Sequence, residues 1–184
     1  MITDHQLSME LRDVRAAERI VLGVCAPYDE VSYLTPDPLG ERCIRGCFAR
    51  SIAARGSKVP LLRGHDSGRR YGLSQSFVED PEGLQGVFRV NDGEAGDDLL
   101  ADCRNGYLAG MSCGFQPVDV KRGADGVREV REAKLVEVSL VGVPAYEGAA
   151  MLAVRQAQPV MPAFPPRPDV NLEPIAPLAY RSRI

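Results

Sequence analysis

The sequence predicts a β-rich α+β domain, a closed or nearly closed β-barrel of about seven strands with peripheral helices. Apolar runs of strand length recur between residues 19 and 154, separated by clusters of Gly, Pro, Asp and Asn. Only two stretches, residues 46–55 and 94–107, carry helical spacing instead. Many short strands with few helices favour a sheet that curls on itself, because closure removes exposed strand edges.

Residues 19–26 (RIVLGVCA) form the first apolar run, and the Pro-, Asp-, Ser- and Tyr-containing stretch 27–40 reads as a loop. Residues 46–55 suit a short helix, with Phe48 and Ile52 four apart on one face and Gly56 closing it. Residues 59–63 make a short strand that ends at Gly64-His65-Asp66. Residues 71–78 and 84–90 flank Glu79-Asp80-Pro81-Glu82-Gly83, a hairpin with a longer loop. The strongest helix is 94–107: acidic residues crowd its first turn, Leu99, Leu100 and Cys103 share a face, and Gly106 lies near its end. Residues 111–121 and 127–141 form a long hairpin around Gly123-Ala124-Asp125-Gly126, and 149–154 add a last short strand or helix. Seven of the 14 prolines fall after residue 155, and such a segment continues neither sheet nor helix. The chain therefore divides into a flexible N-terminal arm (1–17), one folded domain (18–155) and a Pro-rich disordered tail (156–184).

With no Trp and only 6% aromatic residues, aliphatic side chains must fill the core. A net charge of -3 speaks against a general nucleic-acid binder, which carries a basic face. No apolar run approaches the roughly 18 residues of a membrane span, and the start, MITDHQLSMELRDVR, has no apolar leader region. Neither nucleic acid nor membrane is expected as a partner. The five cysteines are odd in number and form no CxxC pair, which suits reduced thiols. Cys43 and Cys47 would share one face of a helix, but a metal site needs two further ligands, so no metal is expected.

Histidine is scarce. His5 lies in the polar arm, whereas His65 follows the apolar strand Val59-Pro60-Leu61-Leu62 and opens a Gly-flanked loop. Strand ends of this kind often hold catalytic groups, and imidazole is the usual general base near neutral pH. Gly110-Met111-Ser112-Cys113-Gly114 matches G-x-S-x-G. The α/β-hydrolase reading of that pattern fails on chain order, because it needs a histidine after the serine and none follows His65. Read without a role, Ser112 is a hydroxyl in a glycine-rich bend. Glu137 stands in the apolar strand 135–141, where it either faces water by simple alternation or, if buried, needs a partner such as an imidazole. Asp66 competes as orienting acid, although neighbouring side chains in an extended segment point apart. Cys113 competes as nucleophile, but it faces the opposite side from Ser112 in a strand and suits packing.

Five segments in this order resemble the caudovirus (tailed-phage) prohead maturation protease family, which is similar in fold to the herpesvirus assemblins. They are Glu41-Arg42-Cys43-Ile44-Arg45-Gly46-Cys47-Phe48, Leu61-Leu62-Arg63-Gly64-His65-Asp66, the hairpin of Glu79-Asp80 and Gly83-Leu84, Gly110-Met111-Ser112-Cys113-Gly114-Phe115, and Glu137-Val138-Ser139-Leu140-Val141-Gly142-Val143-Pro144-Ala145. The resemblance implies a serine endopeptidase with His65 as base and Ser112 as nucleophile. Assemblins place a second histidine after the nucleophile as third member. This sequence has none there, and Glu137 occupies a comparable stretch. The resemblance also implies no cofactor, and scaffold protein or a scaffold segment of the major capsid protein as substrate. It places the work inside the assembling prohead in the host cytoplasm, or in a bacterial cytoplasm for a prophage-encoded copy, with self-cleavage. Self-association is a separate expectation, since a protease kept off until packaging can be controlled by assembly. The rival expectation is a non-catalytic capsid-assembly or scaffold-binding module of the same fold.

Overall fold

A computed structural model describes residues 19–33, 37–146, 148–149 and 151–155. The expected arm 1–17 and tail 156–184 lie outside the described residues. Among the described residues eight strands, where about seven are expected, form one mixed sheet: β1 (Ile20–Pro27), β2 (Glu41–Cys43), β3 (Pro60–Arg63), β4 (Gly72–Glu79), β5 (Gly83–Val90), β6 (Gly110–Arg122), β7 (Arg128–Val141) and β8 (Met151–Arg155). Two α-helices of the described residues flank it, α1 (Ala49–Arg55) and α2 (Glu94–Arg104). The order is β2-β7-β3-β4-β5-β1-β8, with β6 also paired to β7. The ladder is therefore an open path, and a closed barrel is not formed by its strand pairings. The additional strand is β2, a three-residue piece too short to show any period.

Strand β1 is buried at every position, which explains why its sequence is a continuous apolar run rather than an alternating one. It lies between β5 and β8, antiparallel to both. The β4–β5 hairpin turns where expected. Asp80 Oδ1 accepts the N–H groups of Glu82 (2.8 Å) and Gly83 (3.1 Å), so the aspartate caps its own turn.

Helix α2 has Glu94 and Asp97 in its first turn and buries Leu99, Leu100 and Cys103, as its pattern predicts. Helix α1 starts three residues later than expected. Gly46 has φ +84°, so the chain turns there, and Phe48 sits ahead of the helix, fully buried. Phe48 packs edge-on to Phe115, with ring centroids 5.6 Å apart.

Strand β7 organises the part of the fold that matters chemically. β6 runs antiparallel along one of its edges from Arg128 to Val141. The other edge takes two short parallel strands, β2 at Arg128–Val130 and β3 at Val138–Leu140. The β6–β7 register shifts between Gly114 and Phe115, so that Gly114 faces Glu137 while Phe115 faces Leu135. Val136 is thus the extra residue of a bulge. A bulge breaks the ladder locally and re-aims neighbouring side chains. Leu135 N–H donates instead to Ser51 Oγ of α1, at 2.9 Å.

Candidate active site

Three elements converge at the end of β7 that pairs with β3. Glu137 and Ser139 are two apart on β7 and therefore share a face. Ser112 of β6 is directly opposite Ser139, and Gly114 is directly opposite Glu137. His65 arrives from the other edge, just past the end of β3. There the chain turns through Gly64 (φ +58°) and His65 (φ +62°), closed by Asp66 N–H donating to Arg63 O at 3.1 Å. Two consecutive positive φ values are the mark of a type I′ turn. For a histidine this conformation is uncommon, and residues held that way concentrate at functional sites. Two bonds to β7 hold the turn: Gly64 N–H donates to Leu140 O (3.1 Å), and His65 N–H to Ser139 Oγ (3.0 Å).

The side chains form one unbroken chain of hydrogen bonds. His65 Nδ1 is 2.6 Å from Glu137 Oε1, and His65 Nε2 is 3.1 Å from Ser112 Oγ. Glu137 Oε2 accepts the Ser139 hydroxyl at 2.8 Å. Glu137 is only 8% exposed, so these partners rather than water satisfy its oxygens. With Nδ1–H donating to the carboxylate, Nε2 is left as the acceptor for the Ser112 hydroxyl, the tautomer a general base requires.

All three predicted residues, His65, Ser112 and Glu137, are thus brought together. Asp66 is not among them; its Oδ1 accepts the Gly68 N–H at 2.9 Å within its own loop. Cys113 is packed against the core with Cys25 and Cys43 near it, and it borders the same cleft as Ser112. Desolvation, reinforced by those thiols, pushes its pKa well above the ordinary range, so it is a neutral thiol at neutral pH and a poor nucleophile. Iodoacetamide at pH 8 is expected to alkylate Cys113 in the folded enzyme at least tenfold more slowly than in the denatured chain, read by peptide mass mapping. Cys43 and Cys47 do not lie on one helix; both precede α1, are buried, and are free thiols.

Two participants escape the motif reading. Ser139 is fully buried and binds both the base's backbone and the acid's second oxygen. Period-2 alternation from Glu137 was the available signal. Gly114 is the other. A Cβ there would stand 2.3 Å from Glu137 Oε1 and 3.0 Å from its Cγ and Cδ. The second glycine of G-x-S-x-G is a notch that lets the carboxylate lie across β6 towards His65. The first, Gly110, leaves room for the Pro144 ring, 2.8 Å from a Cβ placed there. Gly114→Ala is expected to lower kcat about a hundredfold, measured on a peptide substrate, with the secondary structure retained by circular dichroism.

A cleft of about 480 Å³ opens beside Ser112 and His65, lined further by Phe115, Pro117, Ala145 and Tyr146. Residues 7–161 match the family model described as caudovirus prohead serine protease. The chain belongs to this family. It is accordingly a serine protease of prohead maturation. No curated protein matches the protease in sequence. Among solved structures it is similar to the bacteriophage T4 capsid assembly protease, at 13% identity, 68% coverage of this chain, 98% of that one, and a TM-score of 0.47. It is also similar to the KSHV protease solved with a hexapeptide phosphonate inhibitor, at 11% identity, 73% and 64% coverage, and a TM-score of 0.44. A third match is the varicella-zoster virus protease, at 16% identity, 72% and 62% coverage, and a TM-score of 0.39. The prohead protease therefore spans just under two thirds of those two herpesvirus chains. None of its described helices is long and apolar enough to cross a membrane.

Proposed function

We propose that Ser112 is the nucleophile, His65 the general base and Glu137 the orienting acid of an endopeptidase that acts in the assembling prohead, in the host cytoplasm. Its substrate is scaffold protein or a scaffold segment of the capsid protein, and its own residues 156–184 are a second target. The observation that carries this reading is the contact chain from Ser112 Oγ through His65 to Glu137, at 3.1 and 2.6 Å. His65 Nε2 takes the Ser112 proton as Oγ bonds to the scissile carbonyl carbon. The imidazolium, stabilised by the Glu137 carboxylate, then gives that proton to the leaving amine as the C–N bond breaks. Water, deprotonated by the same nitrogen, hydrolyses the acyl-enzyme.

The edge of β6 away from β7 supports a mode of substrate binding. Before Ser112, that edge is occupied: Met111 N–H donates to Ala149 O (2.9 Å), and Met151 N–H to Ala109 O (3.0 Å). These two bonds also favour a nearly closed barrel, because they link β6 to the segment that enters β8. Past Ser112 no described strand pairs with that edge, where an extended peptide can add as a strand.

A fluorophosphonate probe tests the nucleophile directly. The adduct is expected on the peptide containing Ser112, and co-expressed capsid or scaffold protein is expected to be shortened by intact mass. An adduct on another residue removes the assignment. An unlabelled protein that binds its partner without trimming it would be the non-catalytic module instead.

A further inference from the structure

The cleft beside Ser112 holds a second charged pair that the proposed chemistry does not use, Glu41 and Arg128. They are register partners across β2 and β7, and Arg128 Nη1 donates to Glu41 Oε2 at 2.5 Å. Glu41 is nearly enclosed, with 7% of its side chain exposed, whereas 28% of the Arg128 side chain is exposed. Taking two charges out of water is costly, and a buried ion pair is weak evidence for stability. Phe115, Pro117, Ala145 and Tyr146 make the rest of this wall largely apolar, so the pair is its main polar feature.

The pair is also asymmetric. A guanidinium has five N–H donors in a rigid fork, and among the described residues Glu41 engages one nitrogen. The nearby Asp37 carboxylate is hydrogen-bonded by Arg122, at 2.8 Å, and is also within the field of Arg128. Both residues of the Glu41–Arg128 pair line the cleft, so a peptide lying there meets a guanidinium held by its register partner. Apolar walls with a few fixed polar groups are the usual way a pocket sets orientation and specificity.

We propose that Arg128, held in place by Glu41, is a specificity-determining residue that recognises a carboxylate or carboxamide side chain of the substrate close to the scissile bond. The proposal rests on Ser112 being the nucleophile, since it takes this cleft as the substrate's. A site built to hydrogen-bond a substrate group rejects the analogue that lacks it far more strongly than an apolar pocket rejects a missing methylene.

The test is a cleavage profile of the full-length enzyme on a peptide library varied on both sides of the cut. Wild type is expected to enrich Glu, Gln, Asp or Asn at one position. Matched peptides with that residue or Leu then give a ratio of kcat/KM. The Glu41→Gln/Arg128→Met double variant, which leaves no lone buried charge, is expected to lower this ratio at least tenfold. Arg128→Lys, which keeps the charge without the fork, is expected to fall between. Damage common to both peptides cancels in the ratio. Ser112-dependent cleavage with no acceptor preference, with a preference for basic side chains, or with an unchanged ratio in the double variant overturns the subsite alone. Cleavage that persists in Ser112→Ala overturns the nucleophile assignment and the subsite with it.

Discussion

Ser112→Ala is expected to lower kcat by about a millionfold, His65→Ala by a similar factor, and the double variant no further than either. The reason is geometric. The Ser112 hydroxyl is a weak nucleophile until a base removes its proton, and His65 Nε2, 3.1 Å away, is the base in contact with it. The base in turn has no proton to collect once the hydroxyl is gone. The two therefore act as one unit, and their free energies do not add. Single-turnover measurements on one peptide, with all three variants, check this. Losses that multiplied in the double variant would mean that Ser112 and His65 act independently, against the arrangement described.

Glu137→Gln is expected to cost about ten-thousandfold in kcat while leaving the fold intact. Glutamine fits the same space, so the cost comes from hydrogen-bond polarity. As a carboxylate, Glu137 accepts from both His65 Nδ1 and the Ser139 hydroxyl. An amide can accept on one side only. If its NH2 faces His65, it drives the imidazole into the tautomer whose Nε2 carries the proton, so Nε2 cannot take the one on Ser112. If its oxygen faces His65, the Ser139 hydroxyl loses its acceptor in a fully buried position, and the imidazolium loses its counter-charge. Either way the thermal midpoint should shift little compared with the rate. A rate loss below tenfold would show that the carboxylate does not serve the imidazole.

Much of this was legible from residues alone, for identifiable reasons. β4, β5, β6 and β7 carry apolar patterning bounded by strong turn residues, so both hairpins fall where expected. His65 and Ser112 were accessible because histidine is scarce and the glycines flanking Ser112 stand out. Glu137 was left open between water and imidazole, since strand alternation fixes which residues share a face but not which face is inward. Its burial depends on the parallel pairing of β3 with β7, a contact between distant segments that no local pattern encodes. The role of Gly114 was hidden for the same reason. It exists only in the cross-strand register, and a bulge at Val136 sets that register. Strand β2 was missed because three residues held by a parallel neighbour need no pattern of their own. The start of α1 was misplaced because Phe48 matches a helical face in spacing while reaching the core from the turn before it.

The placement of β7 has a consequence for when the enzyme becomes active. His65 meets Ser112 across 47 positions of chain and Glu137 across 72. Contacts between such distant segments form slowly, because loop-closure entropy is lost before the contacts compensate for it. A ribosome-bound chain that stops short of residue 137 contains both the serine and the histidine but lacks the strand that aligns them. Proteolytic competence should therefore appear abruptly, after β7 is synthesised and inserted between β6 and β3.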